Sequence, residues 1–170
     1  MHYSSSSNNS ILLSNLTYIR WIAIIGQLST IIFVYFFFKI PIPVIPCLLV
    51  VLISIFVNIL SLIFKNNNNY LTDNKAFYFL LYDTMQLAAL LYLTGGIYNP
   101  FSLLLIAPLI ISISYLPIVY SICLLFLSIC GVLFISNFFL KIEWNGIFEV
   151  PKYFQYGLTV SLIIAFIFIF

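Results

Sequence analysis

The chain is divided into apolar runs of nearly uniform length, and that length constrains its fold more than any other feature. An α-helix rises 1.5 Å per residue, so roughly 20 residues cross the about 30 Å of hydrocarbon in a bilayer. Runs at 18–38, 44–64, 76–94, 101–116, 118–140 and 154–170 approach this length, the last at the short end of what can span and lying at the chain end. The breaks are Pro41-Ile42-Pro43, the polar stretch 65–75, Gly95-Gly96, Pro117, and the loop 141–153, whose Trp144 and Tyr153 suit a membrane interface. The expected fold is an all-α membrane protein, a bundle of six transmembrane helices over 18–170. It follows a polar tail at 1–17 that has no signal-peptide character and is expected to be disordered. Pro108, inside the fourth run, predicts a kink whose freed carbonyl Ser112 or Ser114 would meet.

Composition narrows the functions open to such a chain. It is 64% hydrophobic and 6% charged, with a mean hydropathy of +1.21, against roughly 25% charged in a soluble domain. Soluble enzyme folds are excluded. The six basic residues are scattered singly, so no phosphate-binding patch exists and nucleic acid is not an expected partner. One histidine, His2, and four carboxylates spread along the chain assemble no proton-transfer or metal constellation; we expect no catalytic residue, no metal and no enzyme activity of this chain by itself. Cys47, Cys123 and Cys130 are odd in number, lack CxxC spacing and read as small buried hydrophobes. Orientation by basic loop residues is a tie, with Arg20, Lys65 and Lys75 on one side and Lys39, Lys141 and Lys152 on the other.

Polar groups inside the runs are costly and therefore informative. Asp83 is the most expensive, and Gln86, Leu90 and Thr94 continue its helix face. Arg20 and Gln27 share a face of the first helix, and Ser54, Asn58 and Ser61 form a stripe on the second. One reading is packing through interhelical hydrogen bonds. The other is that Arg20 reaches Asp83 near the cytoplasmic side, making a charge contact that shifts between signalling states.

Residues 90–101, Leu-Leu-Tyr-Leu-Thr-Gly-Gly-Ile-Tyr-Asn-Pro-Phe, are the densest in signals. As a hairpin turn they are well explained: glycine ends one helix, Asn99 caps the next, and Pro100 takes its first position. The same loop meets the needs of a membrane-dissolved quinone, with backbone N–H groups at Gly95, Gly96 and Ile97, an amide donor at Asn99, and Phe101, Tyr92 or Tyr98 as a wall for the ring. Reduction turns carbonyl acceptors into hydroxyls that also donate, so one pocket can hold the two redox states with different free energy.

At these residues the sequence closely resembles the membrane region of the RegB/PrrB-type redox-sensing histidine kinases. The resemblance is carried by Arg20-Trp21, Gly26-Gln27, Pro41-Ile42-Pro43 with Cys47-Leu48, Asn58, Asp83, Gln86-Leu87, the block 90–101, Pro108 and Ser112. Within the block, Gly95-Gly96-Ile97-Tyr98-Asn99-Pro100-Phe101 matches the family's GGxxNPF heptapeptide. The resemblance implies six membrane helices in the bacterial inner membrane with a cytoplasmic N-terminus and the heptapeptide at the periplasmic side. It also implies ubiquinone as a non-covalently sensed ligand at Tyr92, Gly95, Gly96, Asn99, Pro100 and Phe101, with the oxidised form holding the kinase less active. Asp83, Gln86, Arg20, Gln27 and Asn58 are the candidate intramembrane polar residues for signalling.

The family's phosphoacceptor helix, ATP-binding domain and redox-active cytoplasmic cysteine have no counterpart in these 170 residues. The expectation is therefore a quinone-sensing input domain truncated before the kinase core. Its partners would be membrane lipid, quinone, a second copy in a homodimer, and a separately encoded kinase half with its response regulator. Two other readings stay open: a small transporter or channel subunit, from Asp83 and Pro108, and a ligand-free partner that packs through its Ser and Asn stripes.

Overall fold

The computed structural model describes residues 13–63, 72–142 and 152–170. Residues 1–12 of the expected tail, most of the polar stretch 65–75, and the loop containing Trp144 lie outside the described residues, as does the side chain of Tyr153. The described chain is all helical: α1 (Leu13–Phe36), α2 (Val44–Ile63), α3 (Asp73–Leu93), two 3-10 segments (Gly96–Tyr98 and Pro100–Leu105), α4 (Ile106–Tyr115), α5 (Ile118–Asn137) and α6 (Lys152–Ile169).

Several boundaries differ from those expected. The first helix starts at Leu13, inside the segment read as tail, because Leu16 and Thr17 are buried and Leu16 fills a core position with Ala76, Leu80, Leu116 and Leu124. Its end at Phe36 is followed by Lys39 in the left-handed region, φ 52°, so the turn closes before Pro41. The third helix begins at Asp73, whose carboxylate in the first turn is favoured by the helix dipole.

The fourth run departs most, since it is not one helix. Residues 100–105 wind as a 3-10 segment before α4 begins at Ile106, so Pro108 falls in the first turn of α4, where a missing N–H costs little. The expected serine repair is not made: Ser114 Oγ donates to the Ile110 carbonyl at 2.9 Å, and Ser112 Oγ bonds Ser121 Oγ at 2.9 Å, pinning α4 to α5.

Four segments, Leu16–Phe36, Val44–Ile63, Asp73–Leu93 and Ile118–Asn137, are long and apolar enough to cross a bilayer; Pro100–Tyr115 and Phe154–Ile169 are shorter apolar helices. Their outer faces carry bare hydrophobic side chains, among them Phe36, Ile45, Val119, Phe126 and Phe168. Such a surface is stable only against lipid. The chain is a multi-pass membrane protein.

The centre of the bundle is α3, which packs on α2, α4 and α5, while α5 also meets α6. Leu87, Leu91, Ile97, Leu105, Leu109, Val132, Ile135, Leu162 and Phe166 form the main core. The first helix packs along α2 and makes no comparably close backbone approach to α3. Of the cysteines read as buried, only Cys47 is; Cys123 and Cys130 lie on the outward side of α5.

Lipid is as apolar as the core, so core residues stabilise the bundle by packing rather than by transfer from water. Phe166→Ala is therefore expected to cost about 3 kcal/mol, at the low end for a buried Phe, whereas Phe168→Ala, at a side chain 89% exposed, changes stability by less than about 0.5 kcal/mol. Unfolding in mixed micelles on titration with a denaturing detergent measures both.

Candidate functional site

Two sets of residues stand apart from the apolar packing. The first lies between α1 and α3. Arg20 Nε donates to Asp83 Oδ1 at 2.9 Å, so the pair expected from the sequence is made. The Arg20 guanidinium also lies against the rings of Phe79 and Tyr82, 5.1 Å and 5.4 Å from their centroids, an arrangement that favours a cation. Seven residues along α1, Gln27 and Gln86 exchange amide bonds: Gln86 Nε2 donates to Gln27 Oε1 at 2.9 Å and Gln27 Nε2 to Gln86 Oε1 at 3.5 Å. The first helix thus reaches the third through long polar side chains rather than by close backbone packing.

The stripe on α2 completes this layer. Asn58, fully buried, donates to the Thr17 carbonyl at 3.4 Å; Ser54 Oγ lies 3.1 Å from the Tyr82 hydroxyl; Ser61 Oγ donates to the Asn58 carbonyl at 2.6 Å. Phe79 and Tyr82 were not among the sequence candidates. Phe79 lies four residues before Asp83 and so on its face, which was the available signal; Tyr82 is the residue next to Asp83, and no helical spacing to it marks the contact.

The second set is the turn between α3 and α4. Gly95 and Gly96 take positive φ, 99° and 63°, which explains both glycines. A Cβ at Gly96 would stand 2.5 Å from the Ile135 carbonyl oxygen and 2.7 Å from Phe139, so the turn is pressed onto the end of α5. This corrects the expectation of accessible backbone donors at Gly96 and Ile97, both of which are buried.

Asn99 is likewise committed. Its Oδ1 accepts from Phe101 N at 2.9 Å, and its Nδ2 donates to Thr94 Oγ1 at 2.7 Å and to the Thr94 carbonyl at 3.3 Å. Capping occupies the oxygen and Thr94 occupies the amide, so Asn99 shapes the loop instead of offering a donor to a ligand. At the rim of the loop Pro100 is exposed, Phe101 is 41% exposed, and Tyr92 stacks on Phe134, which stacks on Phe138.

A further network joins this turn to the last helix. The Tyr98 hydroxyl donates to Gln155 Oε1 at 3.0 Å, Gln155 Nε2 donates to the Ser136 carbonyl, and Ser136 Oγ lies 2.7 Å from Thr159 Oγ1. Tyr98 also meets the Phe139 ring edge-on. Gln155, Ser136 and Thr159 escaped the sequence reading because the pairing crosses three elements and no spacing within one helix reveals it.

No family model matches the sequence, and no solved structure matches it. Among curated proteins, the sensor histidine kinase RegB of Cereibacter sphaeroides is 31% identical over 159 residues, 92% of this chain. The chain matches a RegB-type sensor region. It spans 34% of the length of RegB. The resemblance seen at single residues therefore extends along nearly the whole chain.

Two measurements test this geometry. A double-mutant cycle on Arg20→Ala and Asp83→Ala is expected to give a coupling of about 1–3 kcal/mol in unfolding free energy, since removing either partner strands a buried charge. Gly96→Ala should destabilise more than Gly95→Ala: both pay about 1–2 kcal/mol for the left-handed backbone, but only at Gly96 does the methyl overlap a backbone oxygen.

Proposed function

We propose that this chain is the membrane sensor half of a RegB-like two-component histidine kinase and that it reports the redox state of the quinone pool. The observation that carries the reading is the similarity to RegB along 92% of the chain. In this reading the four long helices and the two shorter apolar ones make six crossings of the bacterial inner membrane, with the N-terminus cytoplasmic. Phosphoryl transfer belongs to a kinase half, in the same or a separate polypeptide, acting on a response regulator, and two copies of the sensor pair as a homodimer.

The sensed ligand is ubiquinone, held without covalent attachment at the turn between α3 and α4. Phe101 and Tyr92 supply apolar surface for the ring and Pro100 borders it, while Gly95, Gly96 and Asn99 hold the loop in shape. Oxidised and reduced quinone differ in their hydrogen-bonding groups, so their unequal affinity biases the loop between two arrangements. The bond from Tyr98 to Gln155 gives the loop a direct mechanical link to α6.

The test is a titration of the purified chain in lipid nanodiscs with ubiquinone-1, followed by quenching of tryptophan fluorescence. Saturable quenching is expected, and Phe101→Ala should weaken it about three- to tenfold, the loss of one aromatic contact, without altering thermal stability. Absence of saturable quenching would count against quinone sensing as an activity of this chain.

A further inference from the structure

Two buried side-chain atoms of complementary chemistry stand unpaired where α1, α2 and α3 meet. Arg20 Nη2, a donor, and Asn58 Oδ1, an acceptor, each have no hydrogen-bond partner among the described residues. Arg20 is 6% exposed and Asn58 is fully buried. A buried donor or acceptor left unmatched carries the full cost of its lost hydration, and hydrocarbon offers neither of them a partner.

The two residues lie on a closed circuit of contacts. Arg20 Cζ is 5.4 Å from the centroid of the Tyr82 ring, and the Tyr82 hydroxyl is 3.1 Å from Ser54 Oγ. Ser54 and Asn58 are one turn apart on α2, Asn58 Nδ2 donates to the Thr17 carbonyl at 3.4 Å, and Thr17 is one turn before Arg20 on α1. Arg20 is therefore a neighbour of α2 as well as of α3. Its bond to Asp83 runs from Nε to a single carboxylate oxygen, not in the two-pronged geometry that a guanidinium and a carboxylate favour.

We infer that Arg20 is a two-position switch: here its Nε holds Asp83, and in a second arrangement its Nη2 donates to Asn58 Oδ1, which moves the polar tie of α1 from α3 to α2. Three observations support the second position. Only the Arg20 side chain has to turn, since the Asn58 amide nitrogen keeps the Thr17 carbonyl. The Tyr82 ring, which reaches from Arg20 to Ser54, favours the guanidinium on its way. Asp83 is not stranded when Arg20 leaves, because its side chain is 22% exposed and lines a cleft of about 90 Å³ with Gln27 and Gln86, room for several waters.

The two arrangements differ in what α1 is bonded to. With Arg20 on Asp83, α1 is tied to α3 at two levels, Arg20 and Gln27. With Arg20 on Asn58 only the Gln27–Gln86 exchange remains, and the first half of α1 follows α2, along which it is already closely packed. Any event that competes for Asp83, or that displaces α3 against α2, shifts the balance by its differential free energy for the two arrangements. The switch does not depend on a quinone at the turn.

The chain has one arginine, so ¹⁵N-arginine labels Arg20 alone. The experiment is rotational-echo double-resonance NMR on the whole chain in liposomes, with asparagine ¹³C-labelled at the side-chain carbonyl. Asp83→Leu removes the competing acceptor and should raise the dephasing of Nη by asparagine at least about threefold over the unsubstituted chain; adding Asn58→Leu should return it to background. Asn58→Asp keeps Asp83 and strengthens the second acceptor. With aspartate ¹³C-labelled instead, dephasing is expected to be larger at Nε in the unsubstituted chain and larger at Nη in Asn58→Asp. Thermal unfolding checks that each variant is folded, and Asn58→Asp, which retains the Arg20 and Asp83 charges, decides the matter where Asp83→Leu does not fold. Asparagine dephasing of Nη unchanged in folded Asp83→Leu, a rise there that survives Asn58→Leu, or Nε still ahead of Nη in Asn58→Asp would each overturn the switch.

Discussion

In a bilayer the solvent accepts no hydrogen bonds, and every polar group in this chain is placed under that constraint. Helices satisfy their own backbone, but their apolar faces gain little by leaving lipid for each other, so side-chain bonds between helices decide which helix sits where. Arg20 to Asp83 is the strongest of these. It ties α1, whose close backbone packing is along α2, to the central helix, and it does so by a charge-assisted bond flanked by Phe79 and Tyr82. The Gln27–Gln86 exchange and the Asn58 bond to Thr17 extend the same logic along the layer.

The C-terminal end of α3 is organised differently from its midpoint at Asp83. There the turn is held by close approach rather than by charge: Gly96 lies against the Ile135 carbonyl and Phe139, and Asn99 is saturated within the loop. The turn is consequently rigid in its polar atoms and open only at its aromatic rim. Through Tyr98 and Gln155 it is joined by side-chain hydrogen bonds to α5 and α6, on a path that does not enter the Arg20 layer. The bundle thus has two polar centres on one helix, separated by the apolar core around Leu87 and Leu91.

The legible parts of this arrangement were those encoded within a single helix. Asp83 and Gln86 are three apart, Arg20 and Gln27 seven apart, and Ser54, Asn58 and Ser61 repeat at helical spacing, so their faces followed from periodicity. The cost of charge in hydrocarbon made an Arg20–Asp83 pair the economical solution. The run 101–116 was misjudged because hydropathy does not distinguish a 3-10 segment from an α-helix, and the start of α1 was misjudged because Leu16 needs a partner from α3 to become core. The role of Asn99 depended on whether Thr94 or a ligand takes its amide, a matter of a few ångströms that no pattern of residue types encodes.

What the sequence determined by itself is the solvent and the element type: a poverty of charge and runs of near-membrane length admit helices in lipid and little else, because only helices close their backbone bonds within one segment. What the tertiary structure decided is which polar atoms remain over once the helices have met. Asn99 is fully used, Gly96 is sealed by α5, and one Arg20 nitrogen is buried without a hydrogen-bond partner among the described residues. Those outcomes depend on distances between helices far apart in the chain, and a hydrogen bond is made or lost within less than an ångström of such a distance.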